Sequence, residues 1–132
     1  MNFKVPLHPM LVHFPIAFYF LELLLLIQWT RKKDPAYLRF SRFVFALGFI
    51  FMIAALASGF NDAGGFSGIR GPVQRHFYAA ISVFVIYTLR AFVWKMGKPE
   101  DPRYRALQLA GALIGNLLIA LTGFYGGIVV YG

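Results

Sequence analysis

The sequence contains no cysteine. Without thiols the protein can form neither disulfides nor thiolate metal sites, and iron–sulfur clusters and covalently attached c-type haem are excluded with them. Acidic residues are also few, since Asp and Glu number 5 against 13 Lys and Arg. Any cofactor must therefore be held by His, Met, Tyr, a carboxylate or the backbone.

Apolar residues are abundant by contrast, at 59% of the 132 residues, which is more than a soluble domain of this size carries. They form four runs, at about residues 9–29, 43–60, 73–94 and 106–131. Each run is close to the length of about 20 residues that crosses a bilayer as a helix. We therefore predict one all-α domain over residues 1–132, a four-transmembrane-helix bundle.

The basic residues lie in the short segments at the ends of these runs, which argues against a nucleic-acid partner and for a role in membrane topology. One side of the membrane would hold Arg31, Lys32, Lys33, Arg39, Arg42, Arg90, Lys95, Lys98, Arg103 and Arg105, and the other side would hold Lys4, Arg70 and Arg75. Because basic loops stay in the cytoplasm, this asymmetry predicts that both termini lie outside, which is the periplasmic side of the inner membrane if the cell is bacterial.

The two halves of the sequence resemble each other. Asp34-Pro35-x-Tyr37 precedes the second run, and Asp101-Pro102-x-Tyr104 precedes the fourth. The second and fourth runs also end alike, in "ALASGF" and "ALTGF". This pattern predicts two helical hairpins related by a pseudo-twofold axis along the membrane normal, although Asp-Pro is also an ordinary helix-start signal.

Two histidines near the outer ends of the odd runs form the main candidate site. His13 and His76 are expected at similar depth, with small residues on the neighbouring even helices leaving room between them. Two imidazoles facing each other across a bundle are suited to the iron of a non-covalent haem b. The predicted cofactor-binding residues are His13, His76, Gly123, Gly127, Arg75 and Ser58.

Two other interpretations of the histidines stay open. They can serve packing and headgroup contact alone, and the glycines can serve helix association. A zinc or copper site of His8, His13 and His76 is the second possibility. Five helical positions turn the chain by about 500°, which leaves His8 and His13 about 140° apart and disfavours a shared small metal ion.

Polar residues inside the runs predict contacts between helices. Glu22 and Arg90 reach comparable depth, and because a lone charge there is costly we expect them to pair. Gln108 and Asn116 are expected to hydrogen-bond between helices.

The opening segment "HPMLVHFPIA" resembles that of a bacterial inner-membrane family known as domain of unknown function 2231. The matching positions are His8, Pro9, Val12, His13, Phe14 and Pro15, then Ser58, Gly59 and Asp62, and finally His76. The resemblance covers essentially the whole chain. It implies four spans and supports the selected residues, but it carries no settled activity.

These observations together predict a small b-type membrane cytochrome with an electron-transfer role rather than a stand-alone enzyme, and no catalytic residue is assigned. Its partners would be the lipid membrane and a quinol or a periplasmic electron carrier, in a homo-oligomer or a larger respiratory complex. The alternative is a cofactor-free structural or assembly subunit of a membrane complex.

Overall fold

The computed structural model describes residues 7–132, so Lys4 and the first six positions of the predicted domain lie outside the described residues. Four helices make up the bundle: α1 (Leu7–Lys32), α2 (Pro35–Asp62), α3 (Pro72–Met96) and α4 (Pro102–Tyr131). A single 3-10 turn, Phe66–Gly68, lies between α2 and α3. All four helices are long and apolar enough to cross a membrane, which confirms the predicted all-α four-helix architecture.

The helices extend beyond the predicted apolar runs because polar residues begin them. Asp34 and Asp101 are the N-caps of α2 and α4, and their carboxylates accept hydrogen bonds from the backbone N–H groups of Ala36 at 2.8 Å and Arg103 at 2.9 Å. A proline follows each cap, where a missing N–H costs nothing. The two Asp-Pro signals therefore start the second helix of each hairpin in the same way.

The bundle consists of two antiparallel hairpins. α1 packs along α2, and α3 packs along α4. Between the hairpins, α1 packs more extensively on α4 than α2 does on α3. The turns at residues 33–34 and 97–101 lie at one end, which we call the loop end, and the longer connection at residues 63–71 lies at the other, which we call the histidine end.

Side chains at the centre give the register between the hairpins. The rings of Tyr19 and Tyr87 stack with centroids 3.6 Å apart and planes 18° apart. A Cβ added at Gly48 would lie 2.8 Å from the Tyr19 ring, and one added at Gly115 would lie 2.7 Å from the Tyr87 ring. The same close approach thus occurs in both hairpins, which supports the predicted pseudo-twofold relation.

The buried polar core lies one helical turn from this tyrosine pair. Arg90 donates through Nη1 to Glu22 Oε2 at 3.0 Å and through Nη2 to the other carboxylate oxygen, and neither residue is more than 5% exposed. The predicted pairing of these residues is confirmed. Gln108 Oε1 accepts two further bonds from Arg90, from Nε at 3.2 Å and from Nη2 at 3.0 Å. The pair is therefore neutral and well hydrogen-bonded, as a buried pair requires.

The remaining expected helix-to-helix contact is also present. Asn116 Nδ2 on α4 donates to the backbone carbonyl of Tyr19 on α1 at 3.3 Å and to that of Ala112 at 2.8 Å. Together with Gln108, it fixes α4 against the two helices of the tyrosine pair.

Candidate functional site: a histidine pair at one end of the bundle

His8 is the second residue of α1, and α2 holds its ring. Its Nδ1 lies 2.8 Å from the carbonyl oxygen of Ala55 and 3.3 Å from the Ser58 hydroxyl oxygen. A Cβ added at Gly59 would lie 2.7 Å from His8 Cε1. Glycine at position 59 therefore lets the imidazole lie directly against the backbone of α2.

His76 has the same setting in the second hairpin. Its Nδ1 lies 3.0 Å from the carbonyl oxygen of Thr122 on α4. A Cβ added at Gly126 would lie 3.2 Å from its Cε1. Each hairpin thus holds one half-buried histidine on its odd helix by a backbone carbonyl and a glycine of its even helix.

The two rings face each other across the pseudo-twofold axis. Their centroids are 6.1 Å apart, and their planes are 79° apart. The separation of 68 positions between Glu22 and Arg90 also relates Tyr19 to Tyr87, and it relates His8 to His76. The histidine pair is therefore formed by equivalent residues of the two hairpins.

The structure corrects the predicted pairing of His13 with His76. His13 is exposed on the outside of α1, and its Nδ1 lies 2.6 Å from the carbonyl oxygen of Pro9 in its own helix. Five helical positions separate it from His8, so it lies about 140° farther round the helix. Because His8 faces His76, His13 faces away from the bundle.

The predicted glycines are likewise not those beside the histidines. A Cβ added at Gly123 or Gly127 would meet nothing within 4 Å, so neither position makes room for a ring. Gly126 has that role because it lies on the face of α4 that is turned toward α3. Of the other predicted residues, Ser58 lies beside His8, whereas Arg75 is exposed on α3 next to His76 in the sequence.

The hydrogen bonds define what the pair can do chemically. A backbone carbonyl only accepts, so Nδ1 carries the proton of each neutral ring and Nε2 keeps the lone pair. Such a bond fixes the tautomer and orientation of metal-ligating histidines. Two rings that bind one metal through bonds of about 2 Å have centres about 6 Å apart. The pair therefore offers two imidazole nitrogens and a ring separation of 6.1 Å, which is compatible with ligands of one metal.

The predicted site for a small metal ion is not assembled. Among residues 7–132, no group of three or more His, Cys, Asp or Glu residues comes close enough to hold a metal ion. His13 is turned away from the pair, so His8, His13 and His76 do not converge.

The sequence carries one signal for the histidine pair, but the signal depends on a register between the hairpins that the structure supplies. Aligning Tyr19 with Tyr87 and Glu22 with Arg90 places His8 opposite His76. Aligning the two halves on their Asp-Pro turns and helix ends matches the odd helices less reliably. The reason is that the turns at residues 33–34 and 97–101 differ in length.

A family model described as "Predicted membrane protein (DUF2231)" matches residues 4–132. No curated protein and no solved structure matches the chain.

Proposed function

The chain belongs to this family of predicted membrane proteins, and we propose that it is a small b-type cytochrome with an electron-transfer role. His8 and His76 would hold one non-covalent haem b through their imidazoles. The proposal replaces His13 with His8 as the ligand from the first hairpin. It remains a proposal about an electron carrier, and no residue is assigned a catalytic role.

The geometry of the two imidazoles carries the proposal. Their ring centroids are 6.1 Å apart, and each Nδ1 contacts a backbone carbonyl so that each Nε2 is left to ligate. The absence of cysteine restricts a haem to non-covalent attachment through such side chains. The donors present therefore fit haem iron.

Neighbouring residues would support the ligands. Ser58 and Ala55 orient the His8 ring, and Thr122 orients the His76 ring through its carbonyl. Arg75, one residue before His76, offers an exposed cation to a propionate at the edge of the bundle. Held by two imidazoles, the group would supply one-electron transfer rather than oxygen binding.

The histidine pair lies near one end of the bundle, and this position indicates on which side of the membrane electrons would be exchanged. A single haem there is far from the loop end, so we propose exchange with a quinol or a soluble carrier on the same side. The excess of basic residues at the loop end supports a cytoplasmic location for that end and a periplasmic location for both termini in a bacterial inner membrane. Work within a respiratory complex or a homo-oligomer is compatible with this arrangement.

A cofactor-free structural subunit is the second candidate. One observation favours it, namely that the hydrogen bonds at Nδ1 hold both histidines without any ligand. Such a protein would use the pair to join the hairpins at one end, as the Glu22–Arg90 pair joins them nearer the other. A copper or zinc ion held by the two imidazoles with additional outside ligands is a third possibility.

Absorption spectra of the purified protein separate these candidates. We expect protein from haem-replete cells to show a haem spectrum that changes on reduction with dithionite. His8→Ala and His76→Ala should each remove or strongly weaken it, whereas His13→Ala should leave it intact. His13→Ala is the matched control because it removes an imidazole from the same helix.

A colourless preparation of folded protein would reject the haem. Copper or zinc in elemental analysis of that preparation would then favour the metal-ion alternative, and their absence would favour the structural subunit. Loss of haem in His13→Ala but not in His8→Ala would show that the ligand is wrongly assigned.

A further inference from the structure

Two neighbouring grooves at the loop end have the chemistry of a phospholipid site. One has a volume of ≈ 400 Å³ and is lined by residues that include Trp29, Lys33, Glu100 and Arg105. The other has a volume of ≈ 370 Å³ and runs between α1 and α4 along Ala106 and Leu109. Arg105 lines both grooves, so it stands where the groove that holds the other charged residues meets the more apolar one.

Arg105 differs from Arg42, the other arginine that lies over a tryptophan ring of the opposite hairpin. Arg42 on α2 lies over the Trp94 ring of α3 at 5.4 Å and donates to the Trp94 carbonyl at 3.2 Å. Arg105 on α4 lies over the Trp29 ring of α1 at 5.9 Å, but within residues 7–132 its side chain makes no hydrogen bond or ion pair. Its guanidinium therefore keeps all its donors for an external acceptor, and a phosphate is the acceptor that it suits best.

Lys33 supplies a second and independent observation. It follows the end of α1 with a φ of 55°, and among residues 7–132 it is the only residue other than glycine with a positive φ. Helices that end in this conformation favour glycine, which adopts it without strain. A lysine in a strained position points to a role for its side chain, and that side chain lines the same groove as Arg105.

From this arrangement we propose that the loop end binds an anionic phospholipid, whose phosphate lies between Lys33 and Arg105 and whose acyl chain begins along Ala106 and Leu109. Basic pockets between membrane helices at the cytoplasmic side recognise such headgroups. The apolar groove beside the two cations favours a lipid over free phosphate. Glu100 lines the same groove as Lys33 and would repel the phosphate, but the two cations outnumber it.

Native mass spectrometry of the full-length protein with added phosphatidylglycerol or phosphatidylcholine tests the proposal. We expect the wild type to retain phosphatidylglycerol in preference to phosphatidylcholine. Lys33→Gly and Arg105→Gln should each weaken phosphatidylglycerol binding about fivefold. Lys33→Gly should also raise or preserve the unfolding temperature, because glycine relieves the strained turn. If Lys33 had only a structural role, lipid binding and the unfolding temperature would change together.

Control variants and competitors complete the test. Arg31→Gln removes one charge from the exposed end of α1 outside both grooves and should leave binding unchanged, whereas Ala106→Phe should weaken binding by filling the apolar groove. Equal retention of both lipids, or an equal loss in Arg31→Gln, would overturn the proposal. Displacement by excess inorganic phosphate would assign the site to free phosphate. Retention of phosphatidylethanolamine equal to that of phosphatidylglycerol would assign it to an amino lipid recognised by Glu100.

Discussion

The two hairpins have similar backbones, but their side chains at the pseudo-twofold axis are identical at some positions and different at others. Uncharged residues can be the same in both halves, as Tyr19 and Tyr87 are when they stack 3.6 Å apart. One turn farther along, the equivalent residues are Glu22 and Arg90. A position next to a twofold axis meets its own counterpart, so equal charges there would repel each other in a medium with little screening. In this bundle the stacked tyrosines are the same residue in both hairpins, whereas the charged pair carries opposite charges because like charges would repel each other.

The surroundings of the charged pair have diverged with it. Gln108 bonds Arg90, whereas the equivalent residue in the first hairpin is Ser41, which donates to the Tyr37 carbonyl of its own helix. The Phe45 ring lies 5.0 Å from the Arg90 guanidinium, and its counterpart in the second hairpin is a fully buried alanine, Ala112. Gln108 and Phe45 therefore provide a hydrogen-bond acceptor and a ring contact for an arginine on α3, and α1 has no equivalent surroundings.

Removing one charge of the Glu22–Arg90 pair should cause the largest loss of stability. Glu22→Leu leaves Arg90 buried without its carboxylate, and we expect a loss of about 3–5 kcal/mol in the free energy of unfolding. The double variant Glu22→Leu with Arg90→Leu should lose clearly less, because no unpaired charge remains. Unfolding in mixed detergent and dodecyl sulfate micelles, followed by circular dichroism, measures both. A double variant as unstable as the single one would show that the pair itself stabilises the bundle.

Exchanging the charges tests how far the symmetry extends. Glu22→Arg with Arg90→Glu keeps the pair but moves the arginine away from Gln108, so we expect a loss of about 1.5–3 kcal/mol from missing hydrogen bonds to a charged group. Adding Ser41→Gln and Gln108→Ser moves the acceptor as well and should restore part of the stability in the same unfolding experiment. If stability is not recovered, positions 41 and 108 are not equivalent in their contacts with the charged pair.

Substituting the glycines beside the histidines should give the smallest losses of stability, and the loss should differ between the two hairpins. A Cβ at Gly59 would lie 2.7 Å from His8, and one at Gly126 would lie 3.2 Å from His76. We therefore expect Gly59→Ala to cost about 1–3 kcal/mol and Gly126→Ala to cost below about 1 kcal/mol. Gly123→Ala and Gly127→Ala are matched controls, since a Cβ there would meet nothing within 4 Å. Equal losses at all four positions would reflect packing in the membrane rather than the histidine contacts, because helix propensity by itself favours alanine over glycine.

Much of the fold could be predicted from local signals in the chain. The lengths of the apolar runs predict four helices, and the Asp34-Pro35 and Asp101-Pro102 caps explain where two of them begin. The match to the family model over residues 4–132 confirms the resemblance found in the opening segment. The contact between Glu22 and Arg90 could be predicted as well, because a membrane interior leaves a buried charge few alternatives to pairing.

The candidate site was harder to predict because it depends on the rotation of each helix. His8 and His13 both lie near the histidine end of α1, and composition and depth do not distinguish them. The sequence by itself determined the number of helices, the Asp-Pro starts and the need for a charge pair, since these follow from hydropathy, hydrogen-bonding and the cost of burying charge. Only the tertiary structure decided which histidine meets His76 and which glycine lies beside it. The face that α1 turns inward is set by its packing along α2, and two residues about 140° apart on one helix cannot both lie on that face.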